Sequence, residues 1–271
     1  MPDKHAGQDN IQRSTKSKEA GNRDRLRKKS YTIRPIPLSK GFRDKSQWTY
    51  RMGYGQKVMT CNYVWYIEGV EGGHVIVDAG AKAEDFNRRG LPDEEVQPLE
   101  EGLNTLGVDI RDISLVILTH LHWDHVALAK RFKNATFIVQ KSEVDFALNP
   151  HPAVAAAYNK DLFAELNLKV IEGEQEILDG IRVILTPGHT PGGQSVAVRT
   201  ASGLAVITGF CCSKENFYPS PEAKSKGLEV IPPGIHTDVL KAYDSALAIK
   251  RMTKTILPLH DPMFLEMSRI K

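Results

Sequence analysis

Thr119-His120-Leu121-His122-Trp123-Asp124-His125 is the stretch on which the reading of this chain turns. It follows Leu115-Val116-Ile117-Leu118, a short aliphatic run that predicts a strand buried on both faces. In an extended chain residues i and i+2 point the same way, so His120 and His122 present two imidazoles to one ion. The turn after them redirects Asp124 and His125 toward a neighbouring point. One short segment thus offers ligands for two metals, and imidazoles with a carboxylate suit zinc and similar divalent ions. The pattern H-x-H-x-D-H arises by chance in roughly one chain in a thousand of this composition. The bland alternative, four polar residues on an exposed turn, is the weaker reading.

Two further histidines share this kind of setting. His189 lies in Thr186-Pro187-Gly188-His189-Thr190-Pro191-Gly192-Gly193, directly after the apolar run Ile181–Leu185. His260 lies in Pro258-Leu259-His260-Asp261-Pro262, after Thr255-Ile256-Leu257. A lone histidine in such a loop is more often an ordinary hydrogen-bonded residue, but as a set with the first motif the pair reads as metal ligands. Of the other four of the nine histidines, His5 falls in a polar N-terminal stretch, His74 borders a hairpin and His151 sits between two prolines. His236 reads either as a residue near a substrate or as a helix cap.

Working outward, Tyr63–Ile67 and Val75–Val77 flank Glu71-Gly72-Gly73 and predict a hairpin. Further strands are expected at Thr136–Val139, Ser195–Val198 and Leu204–Ile207. Helical spacing marks Leu99–Leu106, stopped by Gly107, and Thr237–Met252, capped by Thr237 or His236. Strands dominate, and helices intervene without strict alternation. Two packed mixed sheets with outer helices, an α/β (α+β) architecture, fit better than a doubly wound parallel fold.

The 271 residues, 41% hydrophobic and 25% charged, fit one large globular domain and exclude wholesale disorder. The net charge of +3 is unevenly spread. Residues 1–30 hold nine Lys/Arg against four Asp/Glu, leaving 27 against 29 for the remainder. That first segment has too few apolar residues to offset its ordering entropy, so it is read as a disordered basic tail ahead of a folded domain over residues 31–271. The tail is either a solubilising extension or an arm for an anionic surface. The slightly acidic remainder argues against nucleic acid as the main ligand. No apolar run is long enough to span a bilayer, and no signal-peptide core opens the chain. Three cysteines, Cys61, Cys211 and Cys212, make no disulfide framework, which points to a reducing compartment, the cytoplasm.

With these motifs in hand, the sequence resembles the metallo-β-lactamase superfamily, and within it the branch of quorum-quenching N-acyl homoserine lactonases. The resemblance rests on Val77-Asp78-Ala79-Gly80, the His120–His125 motif, Pro187-Gly188-His189-Thr190-Pro191-Gly192, Lys214-Glu215-Asn216-Phe217 after Ile207-Thr208-Gly209, and Pro258-Leu259-His260-Asp261. It implies an αββα sandwich with the site at one edge of the two sheets. It further implies that His120, His122 and His189 hold one metal and Asp124, His125 and His260 the second, with Asp78 orienting a ligand histidine from behind. The expected cofactor is zinc, two ions per chain, with one ion or another first-row divalent metal as the alternative. The family places an aspartate that bridges the metals after Ile207-Thr208. Here the run is Thr208-Gly209-Phe210-Cys211-Cys212-Ser213, with no carboxylate before Lys214. Either a thiolate, Cys211 ahead of Cys212, takes that place, or both cysteines merely pack. Lactonases also carry a carbonyl-binding tyrosine in this stretch, and an ungapped match puts Cys212 there.

The activity so implied is hydrolysis of a small lactone or carboxylic ester. Zinc brings bound water to a pKa near 7 and polarises the attacked carbonyl, while Asp124 positions the nucleophile and moves a proton. Trp48, Tyr50, Tyr54, Met59 and Trp123 are candidate substrate-wall residues. The same fold also accommodates a thioester hydrolase resembling glyoxalase II, or a phosphodiesterase. A reading of another class is a catalytically degenerate module that binds metal and senses a ligand.

Overall fold

The structure, a computed structural model, describes residues 29–271. Apart from Lys29 and Ser30, the basic tail expected over residues 1–30 lies outside the described residues. Seven strands form one mixed sheet: β1 (Thr32–Asp44), β2 (Lys57–Glu68), β3 (His74–Val77), β4 (Asp93–Glu95), β5 (Ile113–Ile117), β6 (Thr136–Gln140) and β7 (Leu168–Ile171). Their order is β4-β1-β2-β3-β5-β6-β7, antiparallel from β4 to β3 and parallel from β3 to β7. A second sheet runs β12-β11-β10-β9-β8, built from β8 (Gln175–Leu178), β9 (Ile181–Leu185), β10 (Gln194–Thr200), β11 (Gly203–Ile207) and β12 (Thr255–Leu257).

Strand alternation explains the layering. In β3, Val75 and Val77 enter a core shared with Val183, Val196 and Ile207 of the second sheet. Ile76 between them faces outward, into a core with Leu99, Leu103 and Phe137. Both faces of the first sheet are thus covered, and β3 reads as the unbroken apolar run its sequence shows. Each fully buried aliphatic side chain contributes about 1.5–3 kcal/mol by transfer from water. Trp65, fully buried between the sheets, packs edge-on to Phe264 with centroids 5.0 Å apart. This is the two-layered sandwich with outer helices that the sequence predicted.

Short helices α1 (Ala83–Asn87), α2 (Leu99–Asn104), α3 (Trp123–Val126), α4 (Lys141–Leu148), α5 (Lys214–Phe217) and α6 (Pro221–Ser225) precede the longest, α7 (Val239–Met252). Helix α2 is shorter than the Leu99–Leu106 spacing predicts, and the chain leaves through a turn with Gly107 at φ +73°. Helix α7 begins later than expected, because the Asp238 carboxylate accepts the N–H groups of Leu240 and Lys241. A carboxylate caps the positive end of a helix better than Thr237 or His236 would. The hairpin around Glu71-Gly72-Gly73 forms as predicted, with Trp65 opposite Val77. Strands β1, β4, β7 and β8 were not singled out from the sequence; β1 carries two prolines, Pro35 and Pro37, and a bulge between Pro37 and Ser39.

Candidate active site

Strands β3 and β5 point the same way in the first sheet, and β9, β11 and β12 share one direction in the second. The segments leaving their C-terminal ends meet at one edge of the sandwich. They carry Asp78, the His120–His125 motif, His189, Cys211 and His260. His120, His122 and His189 bring one nitrogen each within 4.8 Å of one another, and Asp124, His125 and His260 do the same with a carboxylate oxygen and two nitrogens. The six side chains named from the sequence therefore converge, in the two groups of three that the resemblance implied.

Four of the five rings, all but that of His122, are held from behind. The N–H at Nδ1 of His189 donates to the Ile235 carbonyl at 2.7 Å, and that of His260 to the Cys61 carbonyl at 3.2 Å. His125 donates through Nδ1 to Asp78 Oδ2 at 2.8 Å. The Asp78 carboxylate also accepts the Thr119 amide at 2.7 Å and the Thr119 hydroxyl at 2.9 Å. With its proton committed to Asp78, Thr119 Oγ1 accepts from Nδ1 of His120 at 3.0 Å. Asp78 thereby orients His125 directly and His120 through Thr119. In His120, His189 and His260, fixing Nδ1 as the donor assigns the tautomer and leaves Nε2 with a free lone pair facing the centre.

Asp78 sits at φ +60°, a left-handed conformation that costs most residues roughly 1–2 kcal/mol but that aspartate tolerates. His122 opens α3 with extended backbone, and the first turn of that helix places Asp124 and His125. The His189 turn leans on α7: the Gly188 carbonyl accepts the amides of Thr237 and Asp238, and a Cβ at Gly188 would meet the Ala242 backbone at 2.1 Å.

Burial, with repulsion from neighbouring imidazoles, holds the pKa of His120 and His122 well below that of free imidazole. For His189 and His260 burial is again the largest cause, bringing them to about 4 and about 3. Burial also opposes charge on His125, but the carboxylates of Asp124 and Asp78 overcome it and raise the group to about 9. Asp124 shows the converse: burial resists ionisation, and His125, His260 and His122 outweigh it, so its carboxyl titrates low.

The cavity over these groups measures about 140 Å³. Arg43, Trp48, Phe86, Leu91, Trp123, Ile235 and Cys211 line it beside the histidines. Of the wall residues expected, Trp48 and Trp123 are present; Met59 lines an adjacent groove, Tyr50 packs edge-on to His236, and Tyr54 is 71% exposed. Trp48 carries a buried indole N–H without a partner. Phe86, Leu91 and Ile235 were missed because each stands in a loop or short helix whose placement no local pattern reveals.

Alternation after β11 separates the two cysteines. Phe210 and Cys212 enter the core beneath α7, where Cys212 Sγ lies 3.0 Å from Thr208 Oγ1, while Cys211 lines the cavity. Cys211 is not in either group of converging donor atoms. Burial, with the Asp124 carboxylate and Cys212 nearby, pushes its thiol well above the usual range.

Three supporting residues also escaped the sequence reading. Asn62 donates to the Asp124 carbonyl at 3.0 Å and accepts the Ala81 amide at 2.9 Å. Its signal is a polar side chain inside the apolar run of β2. Asp261 accepts the amides of Lys214 and Met263, bracing the His260 turn against the start of α5. Arg43 forms a buried ion pair with Asp93 and stacks over Phe86.

Comparison with known proteins agrees with this geometry. The sequence model of the metallo-beta-lactamase superfamily matches residues 61–253. N-acyl homoserine lactonase AiiA of Bacillus thuringiensis subsp. kurstaki is 33% identical over 170 residues, covering 57% of this chain and 66% of that protein. The match thus spans just under two thirds of that relative's length. The crystal structure of a quorum-quenching N-acyl homoserine lactone lactonase superposes with a TM-score of 0.72 at 26% identity, covering 89% of this chain and 96% of the other. An N-acyl homoserine lactone hydrolase with the product N-hexanoyl-L-homoserine at its catalytic metal centre gives 0.70 at 26% identity, covering 86% and 94%. No described helix is long and apolar enough to cross a membrane.

Proposed function

The chain belongs to the metallo-beta-lactamase superfamily, and from that premise we propose that it is a metal-dependent hydrolase that opens the ring of a lactone, with N-acyl homoserine lactones as the substrate class its relatives suggest. The observation that carries the metal is the 3.2 Å separation of His120 Nε2 and His189 Nε2. Both atoms are acceptors once their Nδ1 protons are committed, and two facing lone pairs at that distance call for a cation between them. His120, His122 and His189 would hold one ion and Asp124, His125 and His260 a second, zinc or another first-row divalent metal. Such ions supply Lewis-acid polarisation of a carbonyl and acidification of water.

The protein's own groups do the rest. Asp124, kept ionised by three histidines and the most exposed of the six donors, accepts a proton from the attacking water and returns it to the departing alkoxide. Phe86, Leu91, Trp123 and Ile235 exclude water and offer apolar contact to a small ring. Cys211 is proposed to stand in for the family's bridging carboxylate, on its position after β11 and its place in the cavity wall. The three unpaired cysteines fit work in the cytoplasm. The thioester and phosphodiester readings have only the shared fold behind them.

Metal content per chain together with a pH-stat assay of lactone opening tests the proposal. Zinc bound and proton release on adding an N-acyl homoserine lactone are expected. Metal bound without turnover of any lactone would support the degenerate sensing module. Less than about 0.2 metal per chain after reconstitution would refute the metal site itself.

A further inference from the structure

Glu143, the third residue of α4, is fully buried, and each of its carboxylate oxygens accepts a backbone amide from a different loop. Oε1 takes the N–H of Leu121 at 3.0 Å, between His120 and His122; Oε2 takes that of Gly192 at 3.1 Å, three residues after His189. The first loop leaves the seven-stranded sheet and the second belongs to the five-stranded sheet. We infer that Glu143 is a positioning residue that clamps these two loops together and sets the spacing of His120, His122 and His189. The inference rests on the proposal that those three residues hold an ion.

A buried carboxylate without a bonded cationic side chain is expensive, and an apolar side chain would fill the same space at less cost. Its retention makes sense where both oxygens are needed as acceptors. Close approach is built in from the other side as well: a Cβ at Gly192 would lie 2.1 Å from the Glu143 backbone nitrogen, so only glycine lets this turn reach α4. A parallel tie lies just behind. Gln140 donates to Gln194 Oε1 at 2.8 Å, and Gln194 donates to the Leu118 carbonyl at 2.7 Å. That tie joins strand ends, whereas the Glu143 tie reaches the Leu121 amide inside the His-x-His segment.

Glu143→Gln keeps the shape but replaces one acceptor by an NH₂ group that must face an N–H donor, so one loop is released. The readout is zinc affinity of the full chain by competition with a chromogenic chelator, alongside the unfolding temperature of the metal-free protein. Affinity should fall about 10–100-fold. A core variant lowering the metal-free unfolding temperature equally, such as Val198→Ala, should keep wild-type affinity. If Glu143→Gln binds zinc as tightly as wild type, or no more weakly than Val198→Ala, the positioning role is overturned. Glu143→Asp, which preserves both acceptors but shortens the reach, provides a second reading should the glutamine variant not fold: it should weaken zinc binding several-fold, and unchanged affinity overturns the inference. Wild-type protein that binds no zinc would instead remove the metal-hydrolase reading, and this inference with it.

Discussion

The Nε2 atoms of His120 and His189 face each other 3.2 Å apart, and neither has a proton to share once the Thr119 hydroxyl and the Ile235 carbonyl have taken those on Nδ1. Around them the protein has gathered five buried imidazoles and the carboxylates of Asp78 and Asp124. An arrangement so costly without a cation makes stability, metal loading and pH interdependent.

Removing metal should expose that dependence. In the metal-free protein His189 and His260 refuse protons until about pH 4 and about pH 3, whereas the unfolded chain takes them up near 6.5. The unfolded state therefore binds more protons below about pH 6.5, and stability should fall as pH drops from there toward 4. His125, raised to about 9, acts the other way: its contribution is full below about 6.5 and is lost as pH rises through 9. Thermal unfolding of chelator-stripped protein should thus show its highest midpoint near pH 6.5, where the two effects meet, and a loss of several degrees by pH 5. A flat profile from pH 8 to 5 would contradict the buried neutral histidines.

Asp78→Asn tests the support behind the rings. Asparagine tolerates the left-handed backbone at this position, so the main loss is the acceptor for His125 and Thr119. Zinc affinity should drop about 10–100-fold with little change in folding. Asp78→Ala should add a backbone penalty of roughly 1–2 kcal/mol in the metal-free protein. Equal zinc affinity in Asp78→Asn and wild type would show that the rings are held without it.

Cobalt substitution separates the two cysteines. A sulfur-to-cobalt charge-transfer band is expected that vanishes in Cys211→Ser and persists in Cys212→Ser, because only Cys211 lines the cavity. Cys212→Ser should instead cost about 1 kcal/mol of stability, since Cys212 packs beneath α7. A cobalt spectrum without thiolate absorption would leave Cys211 as wall alone.

The pair of Arg43, at the cavity wall, and Asp93 offers a test read in stability rather than in metal binding. Their side chains are 6% and 3% exposed, so removing one partner strands a buried charge. Arg43→Ala should destabilise by about 3–5 kcal/mol, and the double variant Arg43→Ala with Asp93→Ala by less than the sum of the single variants. Additive losses in chemical denaturation would mean that the two side chains act independently.

What the sequence by itself determined is local chemistry with a short reach. A buried strand followed by H-x-H-x-D-H presents ligands within one turn of chain, and Pro-Gly-His and Pro-Leu-His place single imidazoles at strand ends. Unbroken apolar runs in β3, β5 and β11, set between Gly, Pro and Asp, made the sandwich legible for the same reason, since a strand covered on both faces shows itself by composition before any partner is known. Only the tertiary structure decided which loops meet. Glu143 lies 22 residues from Leu121 and 49 from Gly192, and Asp78 47 residues from His125. Buried hydrogen bonds of that span depend on sheet order and on how closely two layers approach at one edge, which no window of sequence contains. The same limit hid Phe86, Leu91 and Ile235. Their aliphatic and aromatic character was plain, but whether such a side chain enters a core or walls a cavity is settled by the space that neighbouring elements leave open.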